Sequence, residues 1–200
     1  MTLPQSLLLS TRNAHKLREF NRLLAPAAIT VVPLPEDVVL PAEEGDTFAD
    51  NALPKARAAA AATGRVAIAD DSGIEAAALD GRPGVRSARY AGPDATDQEN
   101  LDKLMHEVPV GSPLRYVCAL AYVDPVGGLE HVVFGYCQGR MSGEARGSHG
   151  FGYDPAFLPD GDYDGRTMAE LSDAEKDAIS HRAGAVAELL RWLPGAITPG

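Results

Sequence analysis

Val66-Ala67-Ile68-Ala69-Asp70-Asp71-Ser72-Gly73 is an apolar run that ends in two carboxylates, a hydroxyl and a glycine. Such a run predicts a short buried strand, and Gly73 predicts that the backbone turns away directly afterwards. Side chains alternate across a strand, so Asp70 and Asp71 are expected to point in different directions. Two acids delivered to a strand end can hold a divalent metal and activate a water; the same letters also serve a turn in which Asp and Ser bond the backbone. In open α/β sheets ligands bind in the crevice beyond the strand ends, so the flanking sequence decides between these readings.

Upstream, Glu43-Glu44-Gly45-Asp46-Thr47 is an acidic turn leading into an Ala-rich helix expected over 48–63, with Phe48, Ala52, Lys55 and Ala59 on one stripe and Asn51 at i, i+4 from Lys55. Acids at a helix start complement its dipole, which accounts for Asp46 and Asp50 but not for Glu43. Lys55 on an apolar stripe either carries its ammonium out to the surface or reaches an anion held at the sheet. Pro54 predicts a kink or a later helix start. Nearer the N-terminus, Ser6 to Leu9 reads as a strand. Ser10-Thr11-Arg12-Asn13 follows, then a helix capped by Asn13 with Leu17, Phe20 and Leu24 on one face. A strand, a polar loop and a helix N-terminus form an anion cradle, and Lys16 in the first turn is either a solvated lysine or the partner of that anion. Residues 31–40, with Pro33 and Pro35 and with Pro41 just beyond, read as a short strand and an irregular connection.

Downstream, Ile74 to Leu79 reads as a separate strand, and Thr96-Asp97-Gln98-Glu99 as a capping box whose helix presents Asn100, Lys103 and Glu107 to solvent. Leu114 to Val123 and Leu129 to Tyr136 flank Asp124-Pro125-Val126-Gly127-Gly128 and predict an antiparallel hairpin, hence a mixed sheet. In the glycine-rich stretch ending Phe151-Gly152-Tyr153-Asp154-Pro155, two aromatic rings beside exposed backbone suit a purine. Ser172 opens a capping box that places Lys176 in a short helix. Ser180 then caps a final helix with Ala183, Val186, Leu190 and Leu193 as its stripe. His181 and Arg182 in its first turn are at the wrong end for cations unless a phosphate sits there. Residues 194–200 read as a frayed tail.

Composition narrows the class. In 200 residues, 28 acids against 18 bases give a net charge of −10, which opposes binding of a polyanion such as RNA but leaves room for a small phosphate ligand bridged by a metal. Cys118 and Cys137 are too few for a disulfide framework and read as buried, reduced thiols, which points to the cytoplasm. The five histidines show no zinc spacing, the first residues are too short and polar for a signal peptide, and no run is long enough to span a membrane. The whole chain, 1–200, reads as one domain of mixed α/β class: a mixed central sheet flanked by helices.

Taken in order, the blocks Ser10–Lys16, Glu43-x-Gly45-x-Thr47-Phe48-x-x-Asn51-Ala52-x-x-Lys55-Ala56, Ala69–Gly73, Ser87-Ala88-Arg89-Tyr90, Phe151–Pro155 and Glu175-Lys176-x-x-x-Ser180-His181-Arg182 closely resemble the HAM1-like, or inosine triphosphate pyrophosphatase, family. The resemblance covers residues 7 to 190. It implies two lobes with an active-site cleft between them, a homodimer, and Mg²⁺-dependent hydrolysis of ITP, dITP and XTP to the monophosphate and pyrophosphate. Carried over, Thr11, Arg12, Asn13, Ala14, His15, Lys16 and Lys55 would hold the triphosphate. Glu43, Asp70 and Asp71 would serve the metal and the water, and Ser72 would touch the nucleotide. The chemistry favours Asp71 as base, also able to touch the metal, and Asp70 as ligand or orienter, roles that the sequence does not separate. Phe151, Gly152, Tyr153, Asp154, Lys176, His181 and Arg182 would surround the base and part of the phosphate chain. Arg12 and His149 stand where family members often carry a small residue. The rival readings are a Maf-like pyrophosphatase acting on pyrimidine or modified nucleotides and a nucleotide-binding module without catalysis.

Overall fold

The structure is a computed structural model that describes residues 4–197, with side chains through residue 193. Strand β1 (Ser6–Leu9) leads into helix α1 (Ala14–Leu24), capped as expected by Asn13, whose side chain accepts from the backbone N–H groups of His15 and Lys16. Strand β2 (Thr30–Pro33) and helix α2 (Phe48–Thr63) follow. Thr47 caps α2 by accepting from the Asp50 N–H, and the helix begins at Phe48 despite Pro54 in its interior. Helix α3 (Asp97–Glu107) carries the expected capping box. Strands β4 (Pro113–Asp124) and β5 (Leu129–Met141) are neighbours joined by residues 125–128, and β6 (Phe157–Pro159) pairs antiparallel with β5. The chain ends in helices α4 (Asp173–Ile179) and α5 (His181–Ile197). Of the tail expected over 194–200, residues 198–200 lie outside the described residues.

Two expectations around the opening stretch are corrected. Strand β3 runs without a break from Ala67 to Ala76, so Asp70 and Asp71 sit in mid-strand and Gly73 is not a turn. Buried positions on both sides of Gly73 keep the strand going: Ala67, Ile68 and Ala69 before it and Ile74 and Ala76 after it are all fully buried. No separate strand covers 74–79; a short 3₁₀ turn over Ala77–Leu79 follows β3 directly.

The six strands order as β2-β1-β3-β4-β5-β6. β1 is parallel to both β2 and β3, with Leu8 opposite Ala67 and Leu9 opposite Ile68, while β5 and β6 are antiparallel, so the sheet is mixed. β1 and β3 are buried on both faces, as parallel strands require, whereas β5 alternates buried and exposed residues and turns one face to water.

The chain divides into two compact units. The first comprises 1–71, 118–135 and 182–200; in its core Leu7 and Leu9 of β1, Phe20 and Leu24 of α1, Ile68, Leu120 and Tyr122 pack with Ala185, Val186, Leu189 and Leu193 of α5. The buried stripe of α5 is therefore rotated from the expected one: Ala183 and Leu190 are only partly covered. The second comprises 72–117 and 136–181, where Ile74, Leu101, Leu104, Leu114, Tyr116, Met141 and Phe157 form a separate core. In this unit Asn100 is not on a solvated face; it is buried, accepting from the Ala91 N–H and donating to the Ala88 carbonyl. Its neighbour Lys103 donates to the Tyr90 carbonyl.

Candidate active site

In the first unit the alternation of β3 sends its two acids into different surroundings. Asp70 is fully buried, with Lys16 Nζ at 2.9 Å and Arg182 Nε at 3.3 Å from Oδ2. Burial alone would push this carboxyl up, but the charges of Lys16, Arg182 and Lys55 outweigh it and hold Asp70 well below its ordinary range. Arg182, also buried, is gripped on its other side by Glu19 of α1, whose Oε2 lies 2.8 Å from Nη1. Removing one partner from such a network leaves a buried charge uncompensated, so these residues hold one another in place.

Asp71 lies on the other side of the strand. Its Oδ2 accepts from the Asn51 amide at 2.9 Å, and the Asn51 carbonyl oxygen accepts from the Gly45 N–H at 2.8 Å. One buried asparagine thus ties the acidic turn before α2 to the middle of β3. Gly45 is required by this close approach: a Cβ there would stand 2.6 Å from the Asp50 Cβ and 2.8 Å from Asn51 Oδ1. Lys55 is buried rather than reaching for the surface, and its ammonium donates to Glu43 Oε1 at 2.5 Å and to the Asp70 carbonyl at 2.8 Å. Burial pulls Lys55 down, yet Asp70 and Glu43 more than offset it and keep it charged. For Asp71 the balance runs the other way. Burial pushes it up, Lys55 and the Asn51 hydrogen bond only partly oppose this, and its pKa is raised. Two neighbouring carboxylates are therefore set apart, one locked as an anion and one with heightened proton affinity.

The polar loop before α1 is also part of this unit. Thr11 Oγ1 accepts from the Asn13 N–H, and His15 and Ala14 are exposed. Arg12 does not face the loop as a free cation. Its Nη1 donates to the Leu34 carbonyl at 3.2 Å, and its Nη2 reaches the carbonyls of Pro35, Glu36 and Val38 at 2.9, 3.1 and 2.9 Å.

The second unit holds a different group of sequence-predicted residues. Asp154 is buried: its Oδ1 accepts from the Tyr116 hydroxyl at 3.0 Å, and its Oδ2 accepts from Lys176 Nζ at 2.7 Å and from the Phe151 N–H at 3.0 Å. The Lys176 ammonium also lies 5.3 Å from the Phe151 ring centroid. Gly150, with φ +76°, leaves the room this requires, since a Cβ there would meet Asp154 Oδ2 at 2.0 Å. His181 is buried with its ring stacked on Tyr116 at 4.7 Å. Tyr153 is not the free aromatic face expected of it: its ring belongs to the core and its hydroxyl donates to the Ser87 carbonyl at 2.7 Å. Phe151 is half-buried, as are Gly152 and Ser72.

Glu19, Asn51 and Tyr116 complete these clusters, and the sequence assigned none of them a role. Glu19 has one signal, its i, i+3 spacing from Lys16; Asn51 shares the buried face of Lys55; Tyr116 is indistinguishable in sequence from any core tyrosine. Among the described residues, no three His, Cys, Asp or Glu side chains are grouped as a ready metal cage, and no helix is long and apolar enough to cross a membrane.

A sequence model of the Ham1 family matches residues 7–192. The chain belongs to that family. The dITP/XTP pyrophosphatase of Symbiobacterium thermophilum is 46% identical over 196 residues, 97% of this chain and 98% of the relative. The dITP/XTP pyrophosphatase of Cutibacterium acnes is 46% identical over 188 residues, 90% and 92% of the two chains. The solved structure of a HAM1 protein from Coxiella burnetii superposes with a TM-score of 0.82 at 38% identity, covering 95% of this chain and 98% of that one. Membership of the Ham1 family thus extends over both units, and it includes every sequence-predicted site residue.

Proposed function

We propose that this chain hydrolyses purine nucleoside triphosphates carrying a non-standard base, ITP, dITP and XTP, to the monophosphate and pyrophosphate, clearing them from the nucleotide pool. It is a nucleoside-triphosphate pyrophosphatase. The observation that carries the mechanism is the divergence of the paired acids on β3: Asp70 caged by cations, Asp71 bonded to Asn51 with its proton affinity raised.

In this reading Asp71 takes a proton from the water that attacks the α-phosphorus as the bond to the β-phosphate oxygen breaks and pyrophosphate leaves. Lys16 and Lys55, with Thr11 and Asn13 of the loop before α1 and Ala14 and His15 of its first turn, hold the phosphate oxygens. Lys55 spends two of its three donors on Glu43 and the Asp70 carbonyl, which leaves one for substrate. Asp70 serves as orienter, fixing Lys16 and Arg182 where they meet the triphosphate. Asn51 ties the turn after Glu43, at the Gly45 N–H, to Asp71. Glu43 and Asp71 are hard oxygen donors, and they suit Mg²⁺, which needs few carboxylates besides phosphate oxygens and water. Bound there, the ion would neutralise charge on the phosphates. Asp70 fits that role poorly, because its side chain is fully buried between Lys16 and Arg182, whereas the Glu43 side chain is partly exposed.

Asp154, Lys176 and His181 read the base. A 6-keto purine accepts a hydrogen bond where adenine presents an amino group, so a fixed donor such as Lys176 donates to the first and is left unpaired by the second. The enzyme works in the cytoplasm, where its two buried thiols stay reduced, and as a homodimer.

The test is a panel of ITP, dITP, XTP, ATP, dTTP and UTP with Mg²⁺, assayed separately for pyrophosphate and orthophosphate. Turnover confined to the keto purines with pyrophosphate released is expected; orthophosphate as the primary product, or preference for dTTP or UTP, would defeat the assignment. Asp71→Asn should lower kcat by about 10²–10⁴-fold while nucleotide binding survives, and unchanged turnover in that variant removes Asp71 as the base.

A further inference from the structure

We propose that Tyr116 is a positioning residue for base selection, holding the Asp154–Lys176 pair and the His181 ring in one register. This rests on the reading of Asp154, Lys176 and His181 as the base-recognition group. Tyr116 lies on β4 among core residues, and nothing in its sequence context marks it out. Its ring is wedged between Phe157, with centroids 4.6 Å apart, and His181, at 4.7 Å and 10° from parallel. Its hydroxyl donates to Asp154 Oδ1 at 3.0 Å. Buried and facing a carboxylate, the phenol is held well above its ordinary pKa and remains a donor at any working pH.

Asp154 has two oxygens to share among three donors. With Tyr116 on Oδ1, the other oxygen is left to Lys176 at 2.7 Å and the Phe151 N–H at 3.0 Å, and the carboxylate plane is fixed. Take the hydroxyl away and Oδ1 is a buried acceptor without its donor. The carboxylate then regains its broad, two-fold torsional freedom and draws the Lys176 ammonium toward the gap. A donor displaced in this way no longer discriminates a keto from an amino group, because that discrimination depends on which polar atom is left unpaired. The same phenol ring sets the plane of His181, so one side chain registers both base-facing groups. Gly150 leaves the space this arrangement occupies, since a Cβ there would collide with Asp154 Oδ2.

Tyr116→Phe keeps the ring, the stack and the volume, and removes only the donor. Steady-state kinetics on dITP and dATP should show KM for dITP raised about tenfold with kcat within about twofold, and the dITP over dATP preference in kcat/KM reduced about tenfold. Tyr116→Leu, which also removes the stack, should lower the preference further. Lys176→Met is measured beside them. If Lys176→Met loses the preference while Tyr116→Phe keeps wild-type KM and preference, the positioning role is overturned and the base-reading assignment stands. If Lys176→Met itself leaves the preference intact, the base-reading assignment fails and this inference with it. A Tyr116→Phe variant that loses kcat equally on both nucleotides at unchanged preference assigns the residue to packing alone and also overturns it.

Discussion

At the scale of single residues, environment rather than identity decides what a charge does. Asp70 and Asp71 are adjacent and chemically the same, yet one is depressed by three cations and the other raised by burial, because the strand points them to opposite sides. Arg12 shows the same effect in reverse. As a sequence letter in a phosphate-type loop it reads as a ligand, but its planar fork is committed to four main-chain carbonyls of the segment 34–38. Lysine keeps the charge without the fork. Arg12→Lys should therefore cost about 1 kcal/mol in urea unfolding and increase proteolysis near residues 34–38, with KM for dITP little changed. A KM raised tenfold at unaltered stability would return Arg12 to the phosphate-binding set.

At the scale of elements, the N-terminus of α2 does two separable jobs. Thr47 caps the helix, while Gly45 and Asn51 link the acidic turn to Asp71. Thr47→Ala should cost about 1 kcal/mol of stability and leave turnover per folded molecule intact. Gly45→Ala forces a methyl against the Asp50 Cβ and the Asn51 carbonyl, so Asn51 must move and Asp71 loses its orienting donor. Turnover should then fall by at least about tenfold, an amount expected when a supporting contact misplaces a catalytic group. Equal activity losses in the two variants would mean that capping, not the Gly45–Asn51–Asp71 link, matters for chemistry. The ten-residue length of β3 belongs to this scale too. A glycine flanked by fully buried alanine and isoleucine positions stays in the strand, since leaving it would expose those residues and their backbone groups.

At the scale of the whole molecule, the buried charges make stability depend on pH in a way whose sign can be worked out. Asp70 is held below its ordinary 3.8, so its contribution is complete above pH 3.8 and is lost as pH falls toward the folded-state value. Lys55 is held above its ordinary 10.5; its contribution is complete below pH 10.5 and is lost as pH rises through the folded-state value. Asp71 has the opposite sign to Asp70, costing stability above its raised pKa and relieving that cost on acidification, which blunts the acid limb. Urea midpoints should thus be highest between about pH 4 and 10. Asp70→Asn should flatten the acid limb and lower stability at pH 7 by about 3–5 kcal/mol, because Lys16 and Arg182 lose their shared counter-ion. A wild-type midpoint in that variant at pH 7 would show that the network contributes nothing to the fold.

Much of the fold was legible in the order of the residues because the signals are local. Asn13, Thr96 and Ser172 announce helix starts by bonding N–H groups within a turn of themselves, and the periods of α1 and α2 repeat over three turns or more. The mixed sheet followed from a hairpin signal set among β-α alternation, and six ordered blocks identified the Ham1 family. The pairings across the chain were not legible: Arg182 with Glu19 and Asp70, Arg12 with the carbonyls of 34–38, Asn51 with Gly45 and Asp71, Tyr116 with Asp154 and His181. Partners brought together from separate elements or loops leave no periodic trace, and a buried polar group takes whichever donor or acceptor the packed core brings to it. The sequence by itself determined which elements form and which residue types supply the chemistry; only the tertiary structure decided which of two neighbouring aspartates is caged by cations and which has its proton affinity raised, because that depends on what lies across each face of the strand.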